Sequence, residues 1–184
     1  MFIQTEATPN PATLKFLPGQ AVVKGAPRDF TSVEAARISP LAARLFEITG
    51  VSGVFLGGDF ITVTKAGGEW QHLKPAILGV IMEHFLSGAP VLDDPSAAGA
   101  SEESFDPADS GIVDTIKELL DTRVRPAVAQ DGGDITFQGF REGVVYLNMK
   151  GSCAGCPSST ATLKHGIENL LRHFIPEVTE VRPV

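Results

Sequence analysis

The sequence predicts an α+β protein of two small domains of helices and strands, joined by an acidic flexible linker. Three observations support this. Strand-like and helix-like hydrophobic patterns alternate before residue 92 and again after residue 110. The stretch between them is rich in Pro, Ala, Ser and acidic residues. The length of 184 residues allows two small domains. We therefore predict domains at residues 1–92 and 110–184, with a linker at residues 93–109.

The first domain is expected to alternate strands with helices. Ser39 and Pro40 predict a helix start, because Ser is a favoured N-cap and Pro suits the first helical position. Gly57-Gly58-Asp59 predicts a hairpin turn. The predicted elements are strands Phe2–Glu6 and Thr13–Leu17, a helix Leu41–Ile48, strands Val51–Leu56 and Phe60–Thr64, and a helix with the apolar stripe Leu73, Ile77, Val80, Ile81, His84 and Phe85. We interpret His84 on this stripe as a core-edge histidine, not a ligand.

The predicted linker carries most of the net charge of −7. Six acidic residues and no basic residue lie in it: Asp93, Asp94, Glu102, Glu103, Asp106 and Asp109. The stretch has too few large apolar side chains to offset its ordering entropy. Repulsion between its charges is expected to keep it extended.

The second domain is predicted in the order helix, strand, strand, cysteine loop, helix, strand. Its first helix has Asp109 or Ser110 as N-cap and is ended or kinked by Pro126. Asp131-Gly132-Gly133-Asp134 lacks the Lys-Ser/Thr of a phosphate-binding loop, so we interpret it as a turn before a strand. The other predicted elements are a strand in which Ile135, Phe137 and Gly139 share one face, a strand Val144–Met149, a helix with stripe Leu163, Ile167, Leu170, Leu171 and Phe174, and a last strand Val178–Val181.

Several classes of function are excluded by composition and motifs. Neither half has the basic excess that nucleic-acid binding requires. No apolar run reaches the roughly 20 residues of a membrane-spanning helix, so we expect no membrane partner. The N-terminal residues resemble neither a secretory signal nor an Arg-rich transit peptide. Motifs of hydrolases, zinc proteases and dinucleotide enzymes are absent from the sequence, so we do not expect an enzyme.

The chemistry is expected in the loop from Gly151 to Thr160, which contains the two cysteines of the chain, Cys153 and Cys156. A pair three positions apart in a non-exported chain favours metal binding or redox chemistry over a stable disulfide. Pro157 suits the first position of the following helix, which puts Cys156 at or next to the N-cap. The positive end of the helix dipole favours the thiolate, the form that binds metal.

The residues alone leave three uses of this thiolate pair open. A thioredoxin-like redox motif also has Cys-x-x-Cys at a helix start, although here the motif follows a hairpin. Zinc needs four ligands, and His165 lies nine residues beyond Cys156, about 13 Å along the helix; His173 is farther. An iron–sulfur cluster usually takes four thiolates, which a two-fold dimer would supply. Zinc could occupy the same dimeric site, so ligand counting does not name the metal.

A longer pattern resembles a known family. The segments Gln130-Asp131-Gly132-Gly133-Asp134 and Gly151-x-Cys153-x-x-Cys156-Pro157-x-Ser159-x-x-Thr162-Leu163-Lys164-x-Gly166-Ile167-Glu168 resemble the C-terminal domain of NifU, the Nfu domain. The first half resembles the Nfu N-terminal domain through Thr5-Glu6-Ala7-Thr8-Pro9-Asn10-Pro11-x-x-Leu14-Lys15-Phe16 and Phe60-Ile61-Thr62-Val63-Thr64. Together they cover the chain except the linker.

The resemblance implies an iron–sulfur cluster scaffold or carrier that accepts a [4Fe–4S] cluster and delivers it to apo-proteins. It implies Cys153 and Cys156 as the cluster ligands of each subunit in a cluster-loaded homodimer. The expected partners are apo iron–sulfur client proteins and upstream cluster assembly proteins, recognised by the N-terminal domain. The expected location is the bacterial cytoplasm, or the mitochondrial matrix for a processed eukaryotic form. A thiol–disulfide oxidoreductase using the same cysteines is the alternative.

Overall fold

The computed structural model describes residues 2–93, 103–152 and 157–184, with no description of the side chains of residues 157–159. The chain divides into two compact units, Met1–Ala98 and Gly99–Val184. Each unit contains both helices and strands, which confirms the predicted α+β class.

The first unit is built on a five-stranded sheet in which all neighbouring strands are antiparallel. The strand order is β1-β2-β5-β4-β3. The strands are β1 (Gln4–Ala7), β2 (Thr13–Leu17), β3 (Arg28–Phe30), β4 (Val51–Leu56) and β5 (Ile61–Lys65). A short 3-10 helix (Ala35–Ile38) and the helices α1 (Pro40–Phe46) and α2 (Trp70–Ser87) complete it.

The helix boundaries of this unit follow from capping chemistry. The Ser39 hydroxyl accepts a hydrogen bond from the Ala42 N–H at 3.1 Å, which confirms the predicted N-cap of α1. Gly88 ends α2 in the left-handed conformation (φ +73°), which glycine adopts without steric cost. The apolar face of α2 packs into a core that includes Phe16, Leu41, Leu45, Leu56, Ile61, Ile77 and Ile81. His84 on the same helix is buried as well, at 1% exposed.

Two elements of the first unit were not predicted. Strand β3 has only three residues, too few to show alternation between buried and exposed positions. Its place at the sheet edge comes from pairing Arg28 with Leu56 and Phe30 with Val54. The 3-10 helix at Ala35–Ile38 is similarly short and buries only Ala36. Both depend on tertiary contacts that local sequence does not reveal.

The second unit is a four-stranded sheet with helices packed on one face. The strand order is β6-β7-β8-β9, antiparallel between β7 and β8 and parallel at both edges. The elements are β6 (Ser104–Phe105), a 3-10 turn (Pro107–Asp109), α3 (Ser110–Leu119), a π-turn (Leu120–Val124), α4 (Arg125–Gln130), β7 (Gly133–Arg141), β8 (Val144–Gly151), α5 (Pro157–Phe174) and β9 (Glu180–Pro183). The core between helices and sheet includes Val113, Ile116, Ile135, Phe137, Val145, Leu147, Ile167, Leu171 and Val181.

The second unit begins upstream of the predicted boundary at residue 110. Strand β6, within the predicted linker 93–109, pairs Ser104 with Gly139 and Phe105 with Phe140. Phe105 is partly buried and packs against the core of the unit. Residues 104–109 therefore belong to the second unit and not to a linker. Residues 94–102 of the predicted linker lie outside the described residues.

Two further details of the second unit differ from the sequence pattern. The Asp109 side chain makes no cap bond to α3; instead Asp106 caps the preceding 3-10 turn by accepting a bond from the Ala108 N–H at 2.9 Å. A β-bulge between Phe137 and Gly139 shifts the register of β7. Phe140 is therefore buried with Phe137, whereas strict alternation predicted it on the opposite face.

Candidate functional site

The candidate site is the cysteine loop between β8 and α5. Both predicted ligands, Cys153 and Cys156, lie outside the described residues. The described chain gives the two ends of the loop: β8 ends at Gly151, Ser152 follows it, and α5 begins at Pro157. The prediction of a strand before the loop and a helix after it is confirmed.

The first end of the loop is tied to the turn before β7. Ser152 is only 1% exposed. Its hydroxyl donates a hydrogen bond to the Asp131 carbonyl, and its N–H donates to the Gly132 carbonyl at 3.3 Å. Two bonds from one residue hold the start of the cysteine loop against a turn that lies 21 positions earlier in the chain.

This turn has its own support. The Asp131 N–H donates to the Val128 carbonyl at 3.1 Å, which ties the turn to α4. Gly132 (φ +82°) and Gly151 (φ +68°) both have left-handed backbone, which only glycine adopts readily. Gly133 and Gly151 are partners in the β7–β8 ladder. The predicted turn before a strand is confirmed, and it lies directly beside the cysteine loop.

An ion pair between α4 and β7 supports the other side of the turn. The Arg125 guanidinium donates Nε to Asp134 Oδ1 and Nη2 to Asp134 Oδ2, each at 2.9 Å. Its Nη1 also donates to Asp121 at 3.0 Å. The hydrogen bonds that Arg125 donates to the Asp134 carboxylate raise the pKa of Arg125, and burial opposes this more weakly. The pair joins the start of α4 to the start of β7 with two parallel charge-assisted bonds.

The second end of the loop is the N-terminus of an 18-residue helix, α5. Unpaired N–H groups and the helix dipole make such an end favourable for negative charge, including thiolate. His165 on this helix is exposed, as predicted for a solvent-facing histidine, and His173 is exposed as well. Pro157 opens the helix, as its missing N–H allows.

Within residues 2–93, 103–152 and 157–184, no three His, Cys, Asp or Glu side chains come together as a metal site. In the same ranges, no helix combines the length and apolar character needed to cross a membrane.

Two features of the site were missed by sequence reasoning. The Asp131–Asp134 segment was interpreted as a turn, but its role as the support of the cysteine loop was not predicted. The Arg125–Asp134 pair was not predicted either, because its partners lie on different elements. One signal in the sequence could have indicated the anchor of the loop. In Gly151-Ser152-Cys153, a small polar residue, Ser152, lies directly after the end of a strand.

Two family models match the two units and define the class of protein. Residues 3–88 match the model described as scaffold protein Nfu/NifU N terminal. Residues 116–182 match the NifU-like domain. The second unit contains a mixed sheet and has the Cys-x-x-Cys sequence just before α5. It is therefore the NifU-like domain of a two-domain scaffold protein.

Comparison with curated relatives specifies the family. The chain is 53% identical over 186 residues to the Drosophila sechellia NFU1 iron-sulfur cluster scaffold homolog, mitochondrial, covering 100% of this chain and 65% of that protein. It is 52% identical over 188 residues to the Homo sapiens protein of the same name, covering 100% of this chain and 72% of that protein. The chain belongs to the Nfu family of iron–sulfur cluster scaffold proteins. It spans about two thirds of the length of the fly relative.

A solved structure was also matched. The solution NMR structure of the NifU-like protein from Saccharomyces cerevisiae covers 51% of this chain and 86% of its own, with a TM-score of 0.47 and 26% sequence identity.

Proposed function

We propose that this chain receives a [4Fe–4S] cluster as cargo, holds it between two subunits and transfers it to apo-proteins. The observation that carries the proposal is the position of the Cys-x-x-Cys motif. It lies between an anchored residue, Ser152, and the N-terminus of α5 in a chain of the Nfu family. Clusters usually take four thiolates, and this chain has two cysteines. Cys153 and Cys156 of two subunits related by a two-fold axis complete the set.

Sharing the cluster makes it easy to hand over. When the subunits separate, each retains half of the ligand set, and thiolates of a client can replace one pair at a time. The cluster leaves as it arrived, so the chain acts as a carrier and not as an enzyme. A weakly held cluster suits this role, whereas an electron-transfer protein needs a permanent one.

The two units are proposed to divide the work. Residues 1–92 recognise apo iron–sulfur clients or upstream assembly proteins, and the second unit holds the cluster. The compartment remains a prediction, either the bacterial cytoplasm or the mitochondrial matrix. The curated relatives carry "mitochondrial" in their names, in keeping with the second alternative.

Anaerobic reconstitution with iron and sulfide tests the proposal. The loaded protein should be brown, dimeric and contain about four irons per dimer, and it should activate an apo-client. Cys153→Ser and Cys156→Ser should abolish cluster binding and leave the fold intact, while Ser52→Ala on the exposed part of β4 keeps the full iron content. Full iron in either cysteine variant would show that the ligands are wrongly assigned. A loaded monomer with no added thiol would exclude a shared cluster.

The alternative, a thiol–disulfide oxidoreductase, is less well supported by the fold. In a thioredoxin-like domain the motif follows a strand of a βαβ unit. Here it follows the antiparallel hairpin of β7 and β8. An oxidoreductase would stay colourless in the same reconstitution and would reduce a disulfide substrate.

A further inference from the structure

We propose that Ser152 is a positioning residue for the cluster, holding the start of the cysteine loop in place before the cluster arrives. This inference rests on the proposed function. Ser152 precedes Cys153 directly, and its side chain is a polar group in an almost fully buried position. Its hydroxyl and its N–H donate to two successive carbonyls, those of Asp131 and Gly132. One residue therefore anchors the loop at two points.

The Ser152 hydroxyl attaches the residue to the turn at a second point. The backbone N–H of Ser152 donates to the Gly132 carbonyl at 3.3 Å, at the long end of the usual range for such bonds. This bond fixes the residue at one point only. The bond from the Ser152 hydroxyl to the Asp131 carbonyl adds a second fixed point on the same turn. With both bonds in place, the orientation of the Ser152 backbone is set, and with it the point from which the loop starts.

The turn that receives these bonds is itself fixed by the protein. The Asp131 N–H bonds to Val128 on α4, and the Arg125–Asp134 ion pair joins α4 to β7. The ladder pair of Gly133 and Gly151 holds the end of β8 beside the turn. None of these contacts involves the cargo. The support is therefore preformed, and the cluster does not have to order it on binding.

A support that is in place before the cluster binds should slow the release of the cluster. Residues behind metal ligands orient them, and their removal typically lowers metal affinity by about 10- to 100-fold. Rigid support also reduces the ordering cost of binding. We expect the loss of the Ser152 hydroxyl to loosen the ligand at Cys153 and so to speed the release of the cluster. A merely structural serine would change stability without changing release.

The test compares Ser152→Ala with a matched control, Ser39→Ala. Ser39 is a fully buried serine of the first unit whose hydroxyl donates to the Val91 carbonyl at 2.6 Å. Both variants and the wild-type chain are reconstituted anaerobically, and the release of iron to a ferrous chelator is timed. Ser152→Ala should lose its cluster about tenfold faster than the wild type, with an altered visible circular dichroism spectrum. Ser39→Ala should lower thermal stability and keep the wild-type release rate and spectrum.

The possible outcomes separate this inference from the proposed function. If the wild-type chain takes up no cluster, both are overturned. If it does, and Ser152→Ala releases iron at the wild-type rate, only the positioning role is overturned. Should Ser152→Ala fail to fold, amide exchange on the wild-type apo-protein decides. Slow exchange of the Ser152 amide without cargo supports a preformed anchor, and exchange as fast as in an unstructured chain overturns it.

Discussion

Arg125 and Asp134 form a two-point ion pair across the turn that supports the cysteine loop, with both N–O distances at 2.9 Å. The Asp134 side chain is 7% exposed and the Arg125 side chain 33%. The carboxylate therefore depends on Arg125 for compensation of its charge, since water reaches it poorly. The pair links the stability of the second unit to the position of the turn.

Replacing Arg125 should destabilise the second unit. In Arg125→Gln the Asp134 carboxylate stays buried without its cation, and we expect a loss of about 2–3 kcal/mol in urea unfolding. Arg125→Lys should recover part of this, because lysine restores the charge but not the two parallel bonds. The control is Arg123→Gln, whose guanidinium lies 5.2 Å from the Phe174 ring centre and should contribute about 1 kcal/mol or less. Equal losses in the Arg125 and Arg123 glutamine variants would contradict the role of the pair.

Gly139 is required by the close approach of β6. A Cβ at this position would lie 2.6 Å from the Ser104 carbonyl oxygen, a backbone atom that cannot move without displacing the strand. Gly139→Ala should therefore release β6 from the sheet edge and cost about 1–3 kcal/mol of stability. Gly166→Ala is the matched control, because open space surrounds that helical glycine. Alanine at this position should raise the free energy of unfolding by about 1 kcal/mol or less. Thermal unfolding of both variants measures the difference, and a Gly139→Ala protein as stable as wild type would refute it.

Strand β6 also shows where sequence reasoning ends. The capping pair Ser39-Pro40 and the stripe of α2 were predicted because their signals are local. Strand β6 has two residues in an acidic stretch, and its pairing depends on Gly139, far along the chain. No local pattern encodes that contact.

For the candidate site too, the sequence predicted the position of the loop but not the tertiary contacts that support it. The spacing of Cys153 and Cys156 identified the loop, and Pro157 located the start of α5. The bond from Ser152 to Asp131 joins residues 21 positions apart and required the fold. A tertiary hydrogen bond of this kind has no periodicity to reveal it.

The Ser39 hydroxyl should stabilise two segments of the first unit at once. It caps α1 by accepting from the Ala42 N–H and donates to the Val91 carbonyl in the segment after α2. Ser39→Ala should cost about 2 kcal/mol, because it removes the cap and leaves the Val91 carbonyl without this donor. Amide exchange at Asp93, whose N–H donates to the Ile38 carbonyl at 2.8 Å, should become faster. Ser52→Ala, at an exposed hydroxyl, should change neither; a similar effect there would contradict the prediction.

His84 should make the first unit less stable at acidic pH. Burial lowers the pKa of His84, the positive charge of Arg44 lowers it further, and hydrogen bonds with the backbone of Pro90 and Ala89 oppose both. The Nε2 atom is buried and has no hydrogen-bond partner in the described part of the chain, so a second proton would find no acceptor there. The folded state thus binds fewer protons than the unfolded state, in which the pKa is about 6.5.

The linkage between proton binding and folding gives the sign of the pH dependence of stability. The stability contributed by neutral His84 is fully present above about pH 6.5 and is lost as the pH falls toward the lower pKa of the folded state. The slope for one group is at most about 1.4 kcal/mol per pH unit. Urea unfolding of the first unit at pH 7.5, 6.5 and 5.5 measures it. His84→Gln should flatten the dependence, and Ser52→Ala, at an exposed serine of the same unit, should leave it unchanged. An equal slope in wild type and His84→Gln would show that another group titrates, because only the buried imidazole has been removed.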